Sequence, residues 1–159
     1  MLTQMSIRNF ALIEQMNISF KDGITIFTGE TGAGKSILMD AFSILLGERA
    51  SSEFIRHGKD SFVIDGIFDI ANHQSLLDLL QSKNILVEDN QLILSRSFNT
   101  SGKSIILAND HPIPLKALKE IGLLLADIHG QYSNQKLLNP DSHHEYLDGY
   151  NQAGSKAYK

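Results

Sequence analysis

The run Gly29-Glu30-Thr31-Gly32-Ala33-Gly34-Lys35-Ser36 leaves this chain little choice of local structure. It has the form G-x-x-x-x-G-K-[ST], in which each fixed position has a mechanical reason. The glycines let backbone N–H groups turn inward and form a concave anion site. A helix beginning near Lys35 adds its positive N-terminal dipole to the same spot. Lys35 would reach the β- and γ-phosphates of a nucleoside triphosphate as a point charge. Ser36 would place its hydroxyl on the magnesium ion that bridges them. With glycine at about 7% of average usage, a chance match to all four fixed positions is rare. The expected ligands are therefore ATP and Mg2+, held by Gly29, Glu30, Thr31, Gly32, Ala33, Gly34, Lys35 and Ser36, with Ser36 on the metal.

The flanks agree with that form. Ile24-Thr25-Ile26-Phe27-Thr28 is β-branched and aromatic and reads as a strand ending at Gly29. After Lys35 the apolar residues Ile37, Leu38, Ala41, Phe42, Leu45 and Leu46 follow helical spacing, and Gly47 is a natural C-terminal cap. Before the loop, Met16, Ile18 and Phe20 alternate with polar residues as in a half-buried strand. Beyond it, 62–68 reads as a strand and 74–82 as a short helix. Residues 91–96 and 104–107 read as a β-hairpin around Asn99-Thr100-Ser101-Gly102. After the breaks at Pro112 and Pro114, a helix from Leu115 to about Gly122 leads into an apolar run, Leu123 to Ile128, read as a buried strand. The tail from Asn139 is polar and lacks core-like spacing.

Composition narrows the class. With 159 residues, 42% apolar and 20% charged, the chain is an ordinary globular one. The formal net charge of −4 advertises neither a nucleic-acid nor a membrane partner, so any DNA contact must come from a local patch. The absence of cysteine excludes disulfides and thiolate metal sites and suits a reducing cytoplasm. No apolar run approaches a membrane span, and no signal-like segment opens the chain. A cytoplasmic location is expected.

A phosphate loop binds, whereas hydrolysis also needs a carboxylate for the metal and a group that positions water. Leu123-Leu124-Leu125-Ala126-Asp127 has the apolar-run-then-Asp form of a Walker B strand, but Asp127 is followed by Ile128 rather than Glu. A strand-end cap is the competing reading of Asp127. Gln131, after His129 and Gly130, carries an amide able to reach the magnesium or the attacking water; an ordinary polar loop is the alternative. Two further glycine patterns fail: Gly102-Lys103-Ser104 has Ser97 where a phosphate loop needs glycine, and Gly32-x-Gly34 has Ile37 where a dinucleotide fingerprint needs a small residue. No Leu-Ser-Gly-Gly-like signature occurs.

Three stretches together resemble one family. Thr28 through the phosphate loop to Leu46-Gly47-Glu48-Arg49-Ala50, the opening Ile7-Arg8-Asn9-Phe10-Ala11-Leu12-Ile13, and Ala126-Asp127-Ile128-His129-Gly130-Gln131 with Gln135 and Leu137-Leu138 behind it are similar to the RecN family of bacterial DNA repair proteins. Ile55-Arg56-His57-Gly58 adds a weaker likeness. The resemblance implies an SMC-like head of the ABC ATPase type: an α/β fold with a mixed sheet around the Walker A helix and an antiparallel β subdomain. It implies that 1–138 form the N-terminal half of a head, and that 139–159 begin the coiled coil or form a truncated tail. It makes Gln131 the glutamine-loop residue, on the metal and catalytic, and removes Asp127 from the Walker B role. The signature motif, Walker B and catalytic glutamate would come from a C-terminal half. Two heads would sandwich two ATP molecules, coupling dimerisation to DNA binding in double-strand break repair and recombination at the nucleoid. Tyr132-Ser133-Asn134 departs from the family's more charged or histidine-rich pattern. Apart from the resemblance, a small self-contained P-loop kinase or a nucleotide-sensing module also fits a bare phosphate loop, although Arg8, Arg49, Arg56 and Arg96 are too dispersed for a kinase lid.

Other residues keep two readings each. Arg56 contacts DNA or a partner head, or is a solvated surface arginine. Arg8 and Asn9 border the adenine or a phosphate, or are polar residues at a strand end. His143-His144-Glu145 has ligand types, but adjacent helical residues do not face one site. His129 is read as a packed or capping residue rather than a base.

Overall fold

The computed structural model describes residues 1–28, 33–126 and 128, of which all but the last lie in the unit Met1–Ala126. Six strands form one sheet: β1 (Leu2–Phe10), β2 (Ile13–Ser19), β3 (Ser61–Asp69), β4 (Gln91–Asn99), β5 (Ser104–Ala108) and β6 (His111–Pro112). Their order is β2-β1-β3-β4-β5-β6 and every pair is antiparallel. Three α-helices accompany them: α1 (Ala33–Leu45), α2 (Gln74–Ser82) and α3 (Leu115–Leu125).

Period-two alternation explains the sheet. In β3, Phe62, Ile64 and Phe68 are buried and lie on one face, and in β4 Leu92 and Leu94 do the same. Register aligns Ile7, Ile64 and Ile106 across β1, β3 and β5, so the strands present a shared aliphatic surface. Helix α1 packs on β3 and β4, and α2 packs on α3. Leu38, Ala41, Ile44 and Leu45 of α1 are buried, as are Leu76 and Leu80 of α2 and Ala117, Leu118 and Ile121 of α3. An aromatic cluster closes one end: Phe62 stacks on Phe98 at 5.9 Å and meets Phe10 edge-on at 5.1 Å.

The expected elements at 62–68, 74–82, 91–96 and 104–107 are present, but two others differ. Leu123–Leu125 is the last turn of α3, not a strand, with Leu123 65% exposed. A continuous apolar run does not distinguish strand from helix, and here the helix places Ala117, Leu118 and Ile121 inward. A Walker B strand at this position is thereby excluded. Ile24–Thr28 pairs with no strand among the described residues, leaving Ile24 93% and Ile26 77% exposed. Within it, Phe27 meets Phe20 edge-on at 6.3 Å. The mixed sheet therefore has no parallel member among the described residues, and only the antiparallel part is seen.

Candidate functional site

Helix α1 starts at Ala33, so Gly34, Lys35 and Ser36 form its first turn, and all three are exposed. The N–H groups of a first turn have no intrahelical acceptor and point along the axis with the positive end of the dipole. No acidic residue lies in this turn. A Cβ on Gly34 would meet nothing within 4 Å, and the residue needs no left-handed backbone. Packing among the described residues does not require glycine there; the space fits a phosphate approaching the backbone. Ammonium, hydroxyl and N–H donors together make a turn suited to a polyphosphate with its metal.

The far end of α1 is anchored more tightly than its sequence suggests. Gly47 takes φ +114, its N–H donates to the Ile44 carbonyl at 3.1 Å, and the Glu48 N–H donates to the Ser43 carbonyl at 3.0 Å. This is a Schellman closure, and it bears out Gly47 as the cap. Arg96 of β4, only 2% exposed, adds a side-chain contact from the sheet. Its Nη1 donates to the carbonyls of Ile44, at 2.5 Å, and Glu48, at 2.6 Å. Burial lowers the Arg96 pKa, and the charge of Glu48 opposes that shift.

Arg56 and Arg8 also have partners within the described residues. Arg56 donates through Nη1 to the Leu12 carbonyl at 2.5 Å and lies 3.7 Å from the Glu14 carboxylate. Its backbone N–H donates to the Asn9 carbonyl at 2.9 Å, and the Ala11 N–H donates to the Phe54 carbonyl at 2.7 Å. The segment after α1 is thus sewn to the β1–β2 turn, where Asn9 and Ala11 both have positive φ. Arg8 pairs with Asp65 at 3.3 Å, and Asp65 also accepts from the Ser95 hydroxyl at 2.6 Å. Of the sequence-derived site residues, Gly29, Glu30, Thr31, Gly32 and Gln131 lie outside the described residues, as do Asp127 and His143-His144-Glu145; of Ala33 only the backbone is described. Sequence reasoning assigns no role to Arg96, whose signal is a charge at an inward position of an alternating strand.

A family model described as an AAA domain matches residues 4–146. The chain is similar to the DNA repair protein RecN of Bacillus subtilis (strain 168), with 43% identity over 150 residues, covering 94% of this chain and 26% of that protein. It therefore spans about a quarter of the length of the curated relatives it matches. Among solved structures it is similar to an Smc head domain with an extended coiled coil from Pyrococcus furiosus. That likeness has TM-score 0.68 and 16% identity and covers 92% of this chain and 40% of the other. A chain from a structural study of ATP-driven dimerisation and DNA-stimulated activation of SMC ATPases gives TM-score 0.66 at 16% identity, covering 94% of this chain and 98% of that one. The fold is that of SMC-type ATPase heads. Among the described residues, no helix is long and apolar enough to cross a membrane.

Proposed function

The chain belongs to the AAA domain family, and from that premise we propose that it is the Walker A segment of a RecN-like ATPase head acting in DNA double-strand break repair and recombination. The observation that carries this reading is the first turn of α1, where Lys35 and Ser36 stand exposed beside Gly34 with no carboxylate in the turn. In the proposed complex, the backbone of Gly29–Ser36 cradles the phosphates of ATP. Lys35 would neutralise the β- and γ-phosphates, and Ser36 and Gln131 would hold Mg2+. When bound, the metal would supply charge neutralisation to the phosphoryl group, and Gln131 would orient the attacking water.

The site is proposed as composite. The exposed apolar run Ile24–Thr28, which pairs with no strand among the described residues, offers an edge for the C-terminal half of the same head, which would bring the signature motif, Walker B and catalytic glutamate. Head dimerisation on ATP and DNA binding belong, on this reading, to the whole protein, in the cytoplasm at the nucleoid. The test is a multiple-turnover ATPase assay on the 159-residue chain and on the whole protein, with and without DNA. Expected is negligible turnover by the 159-residue chain, and DNA-responsive turnover by the whole protein that is lost in Lys35→Ala. Sustained hydrolysis by the chain alone, abolished by Lys35→Ala, would overturn the composite site.

A further inference from the structure

Arg96 breaks the pattern of the sheet's inward face. It lies in register with Ile64 on β3 and Ile106 on β5, both buried aliphatic residues. Leu92 and Leu94, on the same face of β4, are fully buried. A guanidinium in such a row is costly, and a methionine or leucine of similar volume would fill the space without desolvating a charge. Nor is the group fully satisfied, since Nε is buried without a hydrogen-bond partner. What arginine supplies, and an aliphatic residue cannot, is a pair of bonds to carbonyls at the C-terminal end of α1. Local departures from good packing of this kind concentrate where function requires them.

We propose that Arg96 is a positioning residue for the phosphate-binding turn: it fixes the C-terminal end of α1, and through that helix sets the placement of Gly34, Lys35 and Ser36 at the other end. The proposal rests on the nucleotide-binding reading given above. A 13-residue helix is a rod of about 20 Å, so a small tilt at its held end displaces the first turn. The positive charge also complements the C-terminal dipole of the helix whose N-terminus receives phosphate. Arg96 touches no substrate; it acts through α1 alone.

The experiment measures binding of Mg-pyrophosphate and Mg-ATP to the whole protein carrying Arg96→Met, Arg96→Lys or Lys35→Ala. Folding of each variant is established beforehand by its thermal transition. Both probes read the phosphate turn, so a misplaced turn weakens both by the same factor. Expected is a loss of about tenfold for each probe in Arg96→Met, with Arg96→Lys intermediate because it keeps the charge and one donor. Should Arg96→Met fail to fold, Arg96→Lys carries the same comparison. Unchanged affinity for both probes in a folded Arg96 variant, beside loss in Lys35→Ala, overturns the positioning role. If Lys35→Ala also binds normally, the phosphate-loop reading itself falls, and the role of Arg96 with it.

Discussion

Gly122 of α3 lies against the carbonyl oxygen of Leu46, just beyond the end of α1, so closely that a Cβ at Gly122 would overlap it. The two helices meet through backbone here, and α3 is the last described element before Gln131 in the chain. Gly122→Ala must push the helices apart. The expected cost is about 1–3 kcal/mol, as for overpacking elsewhere. It should appear as a lower thermal midpoint together with weaker Mg-ATP binding. A midpoint unchanged from the unaltered protein would show that the contact is not close.

Gly34 makes the opposite case. A methyl group there meets no atom of the described residues and relieves the entropy cost of glycine in a helix, so Gly34→Ala should leave the fold intact or stabilise it by up to about 1 kcal/mol. The same methyl group occupies the space assigned to a phosphate. Expected is a folded protein with strongly reduced Mg-ATP affinity, read by calorimetric titration beside a thermal melt. Undiminished binding would mean that the open space at Gly34 is not where phosphate sits.

The contact between α2 and α3 carries a pH signature. Lys83 and Glu120 form an ion pair at 2.5 Å. The hydrogen bond from Lys83 holds the Glu120 pKa below the usual carboxylate range; desolvation opposes this, and the charges of Lys83 and Lys116 reinforce it. A carboxylate whose folded pKa is depressed contributes stability at pH above its unfolded value of about 4.3, and that contribution is lost as pH falls through the folded pKa. The difference in midpoint between the unaltered protein and Glu120→Gln should therefore be largest near neutrality and shrink toward zero in acid. A difference that does not depend on pH would remove the ion pair as its cause.

Much of this was legible in the sequence because it is local. Alternation in 62–68 and 91–96 gives strands with Phe62, Ile64, Leu92 and Leu94 inward, and the structure keeps that parity. Gly47 ends α1 as its position after an amphipathic run requires. Less was legible where the deciding partner is distant. Parity alone puts Arg96 inward with Leu92 and Leu94, but its acceptors, Ile44 and Glu48, are 52 and 48 residues away. The sequence leaves Arg56 open to a DNA contact, whereas its side chain reaches the Leu12 carbonyl and Glu14. Leu123–Leu125 misled because three leucines have no period. Ile24–Thr28 misled because a strand depends on a neighbour as well as on its own residues.

Arg56 gives a further outcome. Removing its guanidinium in Arg56→Ala deletes the bond to Leu12, beside a turn that holds Ala11 at φ +48. The expected loss is about 1 kcal/mol of stability, the net value of one such bond. Hydrogen exchange at the Ala11 amide should accelerate relative to the amides of β3. If stability and exchange both match the unaltered protein, the clip between Arg56 and this turn carries no weight.

Whether the first turn of α1 binds the phosphates of a nucleotide is tested most directly by calorimetric titration of Mg-ATP into the protein and into Lys35→Ala. Binding by the unaltered protein and its loss in a Lys35→Ala variant with an unchanged thermal midpoint is the result expected. Equal binding by the two, or none by either in the whole protein, would contradict it.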